Sequence, residues 1–283
     1  METIVQILAR ELGRKEAHVQ NVVTLLDEGN TIPFIARYRK EMHGTMDDTT
    51  LRTLADRLTY LRSLDKRREE VKASIEGQGK LTEALSAAID AAATLAEVED
   101  LYRPYKPKRR TRATIAREKG LEPLAQLLFA QGRDCPAPET AAADYVNPEK
   151  GVNSVEEALA GASDIIAEAV SDDANLRKRL RELWRSKGSL VSRAADKEPE
   201  DTVYRLYYDF TTPVSRAMGH QILAINRGER EGVLKVSVEM DREAALIVVR
   251  RAVLAAGAPS MSFVRAAAEA AYHRLIAPSI EPG

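Results

Sequence analysis

The side chains best placed to do chemistry in this 283-residue sequence are cations and rings gathered in "LYRPYKPKRRTRATIAREKG", residues 101–120. Arg103, Lys106, Lys108, Arg109, Arg110, Arg112 and Arg117 fall there, and between Tyr102 and Arg117 there is no Asp or Glu. The whole chain carries a formal charge of only −1, so this run is a local concentration. Uncompensated charge of this kind attracts phosphates or an acidic protein surface. Tyr102 and Tyr105 alternate with the cations, and grooves for single-stranded nucleic acid combine positive charge with rings on which bases stack. Pro104 and Pro107 favour a stiff, extended backbone that would display these side chains. Residues 144–173 hold eight acids and one base, so the two stretches could instead pair with each other, with the tyrosine rings packed on a neighbouring helix. Charge patterning alone leaves both readings open.

Catalytic groups show no comparable gathering. A phosphate-cradling G-x-x-x-x-G-K-[ST] loop is absent, and "GQG" lacks the strand and following glycine of a dinucleotide site. His18, His43, His220 and His273 are isolated in sequence, and Ser and His form no nucleophile elbow. Asp47/Asp48 and Glu97/Glu99/Asp100 could hold Mg²⁺ for a nuclease. Their settings explain them better as a helix start and a solvated helix face. Cys135 has no second cysteine to pair with. The expectation is a protein with no catalytic site, no metal and no cofactor.

These residues must be held by helices. Ile4, Val5, Leu8 and Leu12, then Val19, Val22, Val23 and Leu26, give two stripes at helical spacing, separated by a glycine turn. A third short helix follows in "GNTIPFIARYRKEM", with Thr31 as N-cap and Pro33 in its first turn. Phe34, Ile35 and Tyr38 are expected to face inward there, and Arg37, Arg39 and Lys40 outward, where they make a second set of phosphate contacts. The first two helices could form a DNA-reading helix-turn-helix. The second, however, offers Gln20, Asn21 and Thr24 beside Glu16, Asp27 and Glu28, with Lys15 its only cation, a poor surface for a polyanion.

Leu51, Leu54, Leu58, Leu61 and Leu64, continued by Val71 and Ile75, predict one long helix over 47–76. Shorter helices are expected from Thr82 to Ala93, around Leu95–Leu101, up to Gly120, and from Pro123 to Phe129. A loop should follow in "QGRDCPAPET", then helices near 153–170 and 173–187. The character changes after Gly188: "SLVSRAADKEPEDTV" reads as a short strand and charged linker, and "VLKVSVEM" alternates as a half-exposed strand. "ALIVV" is too short an apolar run to assign, and "SFVRAAAEAAYHRLI" predicts a last helix. The expected fold is mainly α: a helical domain over 1–188 and a small mixed α/β portion over 189–283. No run approaches 18 apolar residues and no leader pattern opens the sequence, so no membrane contact and a cytoplasmic location are expected.

"LLDEGNTIPFIARYRKE", "VEDLYRPYKPKRRT", "IAREKGLEPLA" and "NRGEREGVLKV" together resemble the N-terminal region of the bacterial Tex family of transcription accessory proteins. The motifs occur in the family's order over nearly the whole chain. The resemblance implies a cytoplasmic, mostly helical scaffold with a helix-turn-helix-like element, acting in transcription. It also implies that "LIAPSIEPG" ends a truncated helix, and that RNase H-like, helix-hairpin-helix and OB-type RNA-binding domains lie beyond. Two functions compete: non-specific binding of RNA or DNA through residues 103–117, and a non-enzymatic scaffold docking RNA polymerase or the protein's own downstream domains.

Overall fold

The computed structural model describes residues 2–107, 110–196 and 202–280. It is mainly helical with one small antiparallel sheet, and it divides into two compact units, Met1–Tyr105 and Lys106–Gly283. The change of character after Gly188 falls inside the second unit, where the first strand begins.

The first unit comprises α1 (Ile4–Leu12), α2 (Glu16–Asp27), α3 (Ile32–Tyr38), α4 (Lys40–His43), α5 (Asp48–Glu76), α6 (Glu83–Ala91) and α7 (Leu95–Tyr102). A capping box opens α1: Gln6 N donates to Thr3 Oγ1 at 3.3 Å, and Thr3 N donates to Gln6 Oε1 at 3.0 Å. Gly13 closes it at φ +62°, a left-handed conformation that turns the chain into α2 at little steric cost. Asp47 caps α5 by accepting from Thr50 N at 2.7 Å.

From there the leucine stripe is buried as its spacing predicts, with Leu51, Leu54, Leu58, Leu61, Leu64, Val71 and Ile75 all inside. Each such side chain contributes about 1.5–3 kcal/mol by leaving water. α5 is thus the spine against which α1, α2, α3, α6 and α7 pack. Its outer cations close over those neighbours: Arg57 donates twice to Glu11 of α1 (2.7 and 2.8 Å), and Arg62 twice to Asp27 of α2 (2.7 and 2.8 Å). Lys72 reaches Asp90 of α6 at 2.8 Å, and Arg67 pairs with Glu99 of α7.

The second unit comprises α8 (Arg112–Glu118), α9 (Glu122–Ala130), α10 (Pro138–Ala143), α11 (Val155–Ser171) and α12 (Ala174–Lys187). It continues with β1 (Ser189–Ala194), β2 (Asp209–Pro213), α13 (Gly219–Arg230), β3 (Leu234–Glu239), α14 (Arg242–Val253), α15 (Met261–Ala271) and α16 (Ala277–Ile280). α11 is its centre, contacted by α8, α9, α10 and α15. Its Ala158, Ala162, Ile165, Ile166 and Val170 are buried. Gly161 lets α9 and α8 come close, since a Cβ there would stand 2.3 Å from Leu121 Cδ1 and 3.3 Å from Ala116 Cβ.

Strand order is β2-β1-β3, with Leu190 opposite Val238 and Val191 opposite Ser237. Along β3, Leu234, Val236 and Val238 alternate inward against exposed Lys235, Ser237 and Glu239, the expected period of two. "ALIVV" is helical within α14: Asp241 caps it by accepting from Glu243 N at 3.0 Å, and Ala245, Leu246 and Val249 share the buried face. The predicted loop over 131–140 ends earlier, because Pro138 starts α10 at a position where its missing N–H costs nothing. The charged linker expected after β1 falls largely outside the described residues.

Candidate nucleic-acid interface

The stretch expected to be extended is mostly turned. Arg103–Tyr105 continue α7 as a 3₁₀ turn, and Thr111 caps α8 by accepting from Thr114 N at 3.0 Å. Pro104 fits the turn because its fixed φ suits helical backbone as well as extended chain. The boundary between compact units falls within the stretch, after Tyr105. Tyr102, Arg103 and Tyr105 therefore belong to one unit, and Lys106, Arg110, Arg112 and Arg117 to the other. Lys108 and Arg109 lie outside the described residues.

Tyr102 is removed from the set of base-stacking residues. Its side chain is buried at 8% exposure, its hydroxyl lies 3.0 Å from Ser74 Oγ of α5, and the Arg67 guanidinium carbon sits 5.5 Å from its ring centroid. A ring covered on this scale has no face to offer a base. Tyr105 is half-buried against the same core, with its carbonyl accepting from Gln78 Nε2 at 2.9 Å.

Among the described residues of the segment, Arg117 and Arg110 are met by acids of the same unit. Arg117 Nη1 reaches Glu168 Oε2 of α11 at 2.6 Å, and Arg117 Nε reaches Glu122 Oε2 at 2.6 Å. Thr111 Oγ1 donates to the other Glu168 oxygen at 3.2 Å. Partial burial lowers the Arg117 pKa, and the bonds and charges of Glu168 and Glu122 more than reverse that. Arg117 is thus a fastener between α8 and the acidic stretch. Arg110 pairs with Glu118 at 2.8 Å with both side chains exposed, and Arg103 and Lys106 have partners too. Arg112 is exposed and makes no ion pair with a described residue.

At the corner between α3 and α4 the reverse holds. Arg37, Arg39 and Lys40 are exposed, and none makes an ion pair with any described residue. Only Glu41 adds an acid between Ile32 and Met46. Ile35 is fully buried, with Ile32 and Ala36 half-buried beside it, and this fixes which side of the short α3 faces the core. Phe34 and Tyr38, four residues apart, consequently lie outward, at 37% and 60% exposure. The expectation that they face inward is corrected: a seven-residue helix buries one narrow stripe, and the β-branched residues take it. Their centroids are 5.2 Å apart at 45°, and the Arg39 guanidinium carbon lies 5.8 Å from the Phe34 centroid.

On α2, two of the polar side chains are engaged within the unit. Asp27 is held by Arg62, and Asn21 donates to Met42 O at 3.1 Å, so it is committed to pinning α4. Among the described residues no three His, Cys, Asp or Glu side chains are grouped to hold a metal. No helix of described residues is long and apolar enough to cross a membrane.

Comparison with known proteins assigns this mainly helical chain to a family. Residues 2–76 match the Tex-like protein N-terminal domain, and residues 134–280 match the Tex central region. The chain belongs to the Tex family. It is 48% identical over 245 residues to "Protein tex" of Bordetella pertussis, covering 85% of this chain and 31% of that protein. It is 44% identical over 238 residues to "Transcriptional accessory protein Tex" of Neisseria gonorrhoeae, covering 83% of this chain and 31% of that protein. It is 31% identical over 246 residues to human "S1 RNA-binding domain-containing protein 1", covering 84% of this chain and 24% of that protein. The chain thus spans between a quarter and two-fifths of the length of these and similar relatives.

Proposed function

We propose that this chain is the N-terminal helical scaffold of a cytoplasmic transcription accessory protein and that it binds RNA or DNA non-specifically, without catalysis, metal or cofactor. The observation that carries the reading is the α3–α4 corner, where Arg37, Arg39 and Lys40 stand exposed with no ion pair to a described residue. Phosphates can meet these cations without first displacing a carboxylate. In the second unit, Arg112 offers a separate phosphate contact, and Arg110 another after releasing Glu118, a small cost for an exposed pair. Counterion release should make such binding salt-dependent and indifferent to sequence. The relatives whose names speak of transcription or RNA binding support this reading.

The test is an anisotropy titration of the chain against a labelled oligonucleotide at several salt concentrations. Replacing Arg37, Arg39 and Lys40 by Ala should flatten the salt slope by about 0.7–0.9 per lost contact. An unchanged slope refutes the assignment.

A second reading, a docking scaffold for RNA polymerase or for the protein's own downstream domains, is favoured by α13, which leaves Leu223 73% and Ile222 40% exposed beside Met218 at 58%. Adjacent exposed apolar side chains mark contact surfaces. Leu223→Asp should then abolish binding to purified polymerase while leaving oligonucleotide binding intact.

A further inference from the structure

The α3–α4 corner carries more than charge. Phe34 and Tyr38 form an exposed aromatic pair, and the cations Arg37, Arg39 and Lys40 lie within two residues of the second ring, on both sides of it. The backbone beneath them is fixed rather than loose. Ile35 is fully buried, and Arg39 N donates to Ile35 O at 3.1 Å. The chain bends at Arg39 (φ −127°, ψ 35°), and Asn21 of α2 ties down Met42 O. His43 of α4 and Met46 just after it are buried. Leaving most of the Tyr38 ring and over a third of Phe34 in water forgoes apolar burial, so a pair held outward on a hydrogen-bonded support marks a contact surface.

We propose that this corner is a stacking platform for a single-stranded nucleic acid, with an unpaired base laid on the Tyr38 ring and the flanking phosphates on Arg37 and Lys40. The inference rests on the nucleic-acid reading above and specifies its ligand. Three features select a single strand. A ring face attracts the π-face of any unpaired base, whereas duplex bases are stacked on one another and present only edges. Arg37 and Lys40 flank the ring, one residue before it and two after, so phosphates on either side of a stacked base each meet a cation. Arg39 sits at cation–π distance over Phe34, which stiffens the second ring behind the first. Because stacking reads faces and not edges, RNA and DNA strands are both accepted.

The experiment uses the 283-residue chain, with labelled oligo(U), oligo(dT) and a hairpin duplex of equal phosphate count as probes. Tyr38 is 60% exposed, so Tyr38→Ala should fold like the parent, which far-UV circular dichroism and the melting temperature check. Tyr38→Ala should weaken both single strands by about 5- to 150-fold, leave the salt slope unchanged and leave the duplex within about two-fold. Tyr38→Phe should restore single-strand affinity, since the ring and not the hydroxyl acts. The platform is overturned if Tyr38→Ala and the parent bind oligo(U) equally, or if duplex affinity falls in step. A polyglutamate peptide binding as tightly as oligo(U) would also overturn it, because that ligand offers charge and no bases. Failure of the underlying reading looks different: loss of salt response on replacing the three cations would then be absent, whatever Tyr38 does.

Discussion

The basic segment and the α3–α4 corner are both cationic, yet the described cations of the longer run are the more heavily paired. Residues 103–117 hold seven cations in sequence, but Arg117 is bonded to Glu122 and Glu168, Arg110 to Glu118, and Tyr102 lies in the core. The corner holds three cations and two rings, all exposed. Charge density along a chain therefore measures attraction to any acid within reach, including acids 51 residues away on α11. Availability depends on which acids the fold brings near. The acidic stretch at 144–173 is, in part, the partner of the basic one.

The comparison breaks most easily in stability. Arg117→Ala takes a guanidinium at 2.6 Å away from the Glu168 carboxylate, which is only 12% exposed at its side chain. Removing one charge-assisted hydrogen bond from a largely buried carboxylate is costly, and partial exposure of Arg117 moderates the loss to about 1–3 kcal/mol. Thermal denaturation should show a clear fall in melting temperature. Glu168→Gln should recover part of it by removing the buried charge. The triple replacement of Arg37, Arg39 and Lys40 by Ala should stay within about 0.5 kcal/mol of the parent. Equal melting temperatures for Arg117→Ala and the triple variant would erase the distinction between a fastener and a free surface.

Binding should sort the two regions the other way. The triple corner variant should flatten the salt slope for single strands by about 2 units, whereas Lys106→Ala with Arg110→Ala should change it by less than one. A gain of function sharpens this further. Glu118→Gln releases Arg110, already 70% exposed, and should steepen the slope by at most about 0.7. Titrations at 50, 100 and 200 mM salt resolve both effects.

Much of the fold was legible because its signals are local. The leucine stripe of α5, the Asp47 and Thr82 caps and the alternation in β3 each follow from residues within a few positions of one another. "ALIVV" was not, since a five-residue apolar run satisfies a strand or a buried helix until the Asp241 cap is seen to start α14. The site was less legible for the same reason. Arg37, Arg39 and Lys40 were recognisable from sequence, but whether Tyr102 faces water depends on Ser74, and whether Arg117 is free depends on Glu168. Phe34 and Tyr38 were placed inward because rings usually bury. The decisive signal was the competing claim of Ile32, Ile35 and Ala36 on a helix with room for one stripe.

The smallest expected effect separates paired surface cations from unpaired ones by pH. Hydrogen bonds from Arg57 and Arg62 hold the carboxyls of Glu11 and Asp27 below their ordinary range. A carboxyl with a lowered folded pKa contributes stability that is fully present above its unfolded value, about 4.3 for Glu and 3.9 for Asp, and is lost as pH falls through the folded value. The Arg62–Asp27 pair is about half exposed and the Arg57–Glu11 pair about a third, so each is worth about 0–1 kcal/mol and less in high salt. Replacing Arg57 and Arg62 by Ala should lower the melting temperature slightly at pH 7, with the difference from the parent closing as pH falls below about 4. The triple corner variant has no carboxylate pair to lose, so its melting curve should run parallel to the parent's across the same range. A corner variant that converged on the parent in acid would mean that its cations are paired after all, and the contrast between the two kinds of surface charge would fail.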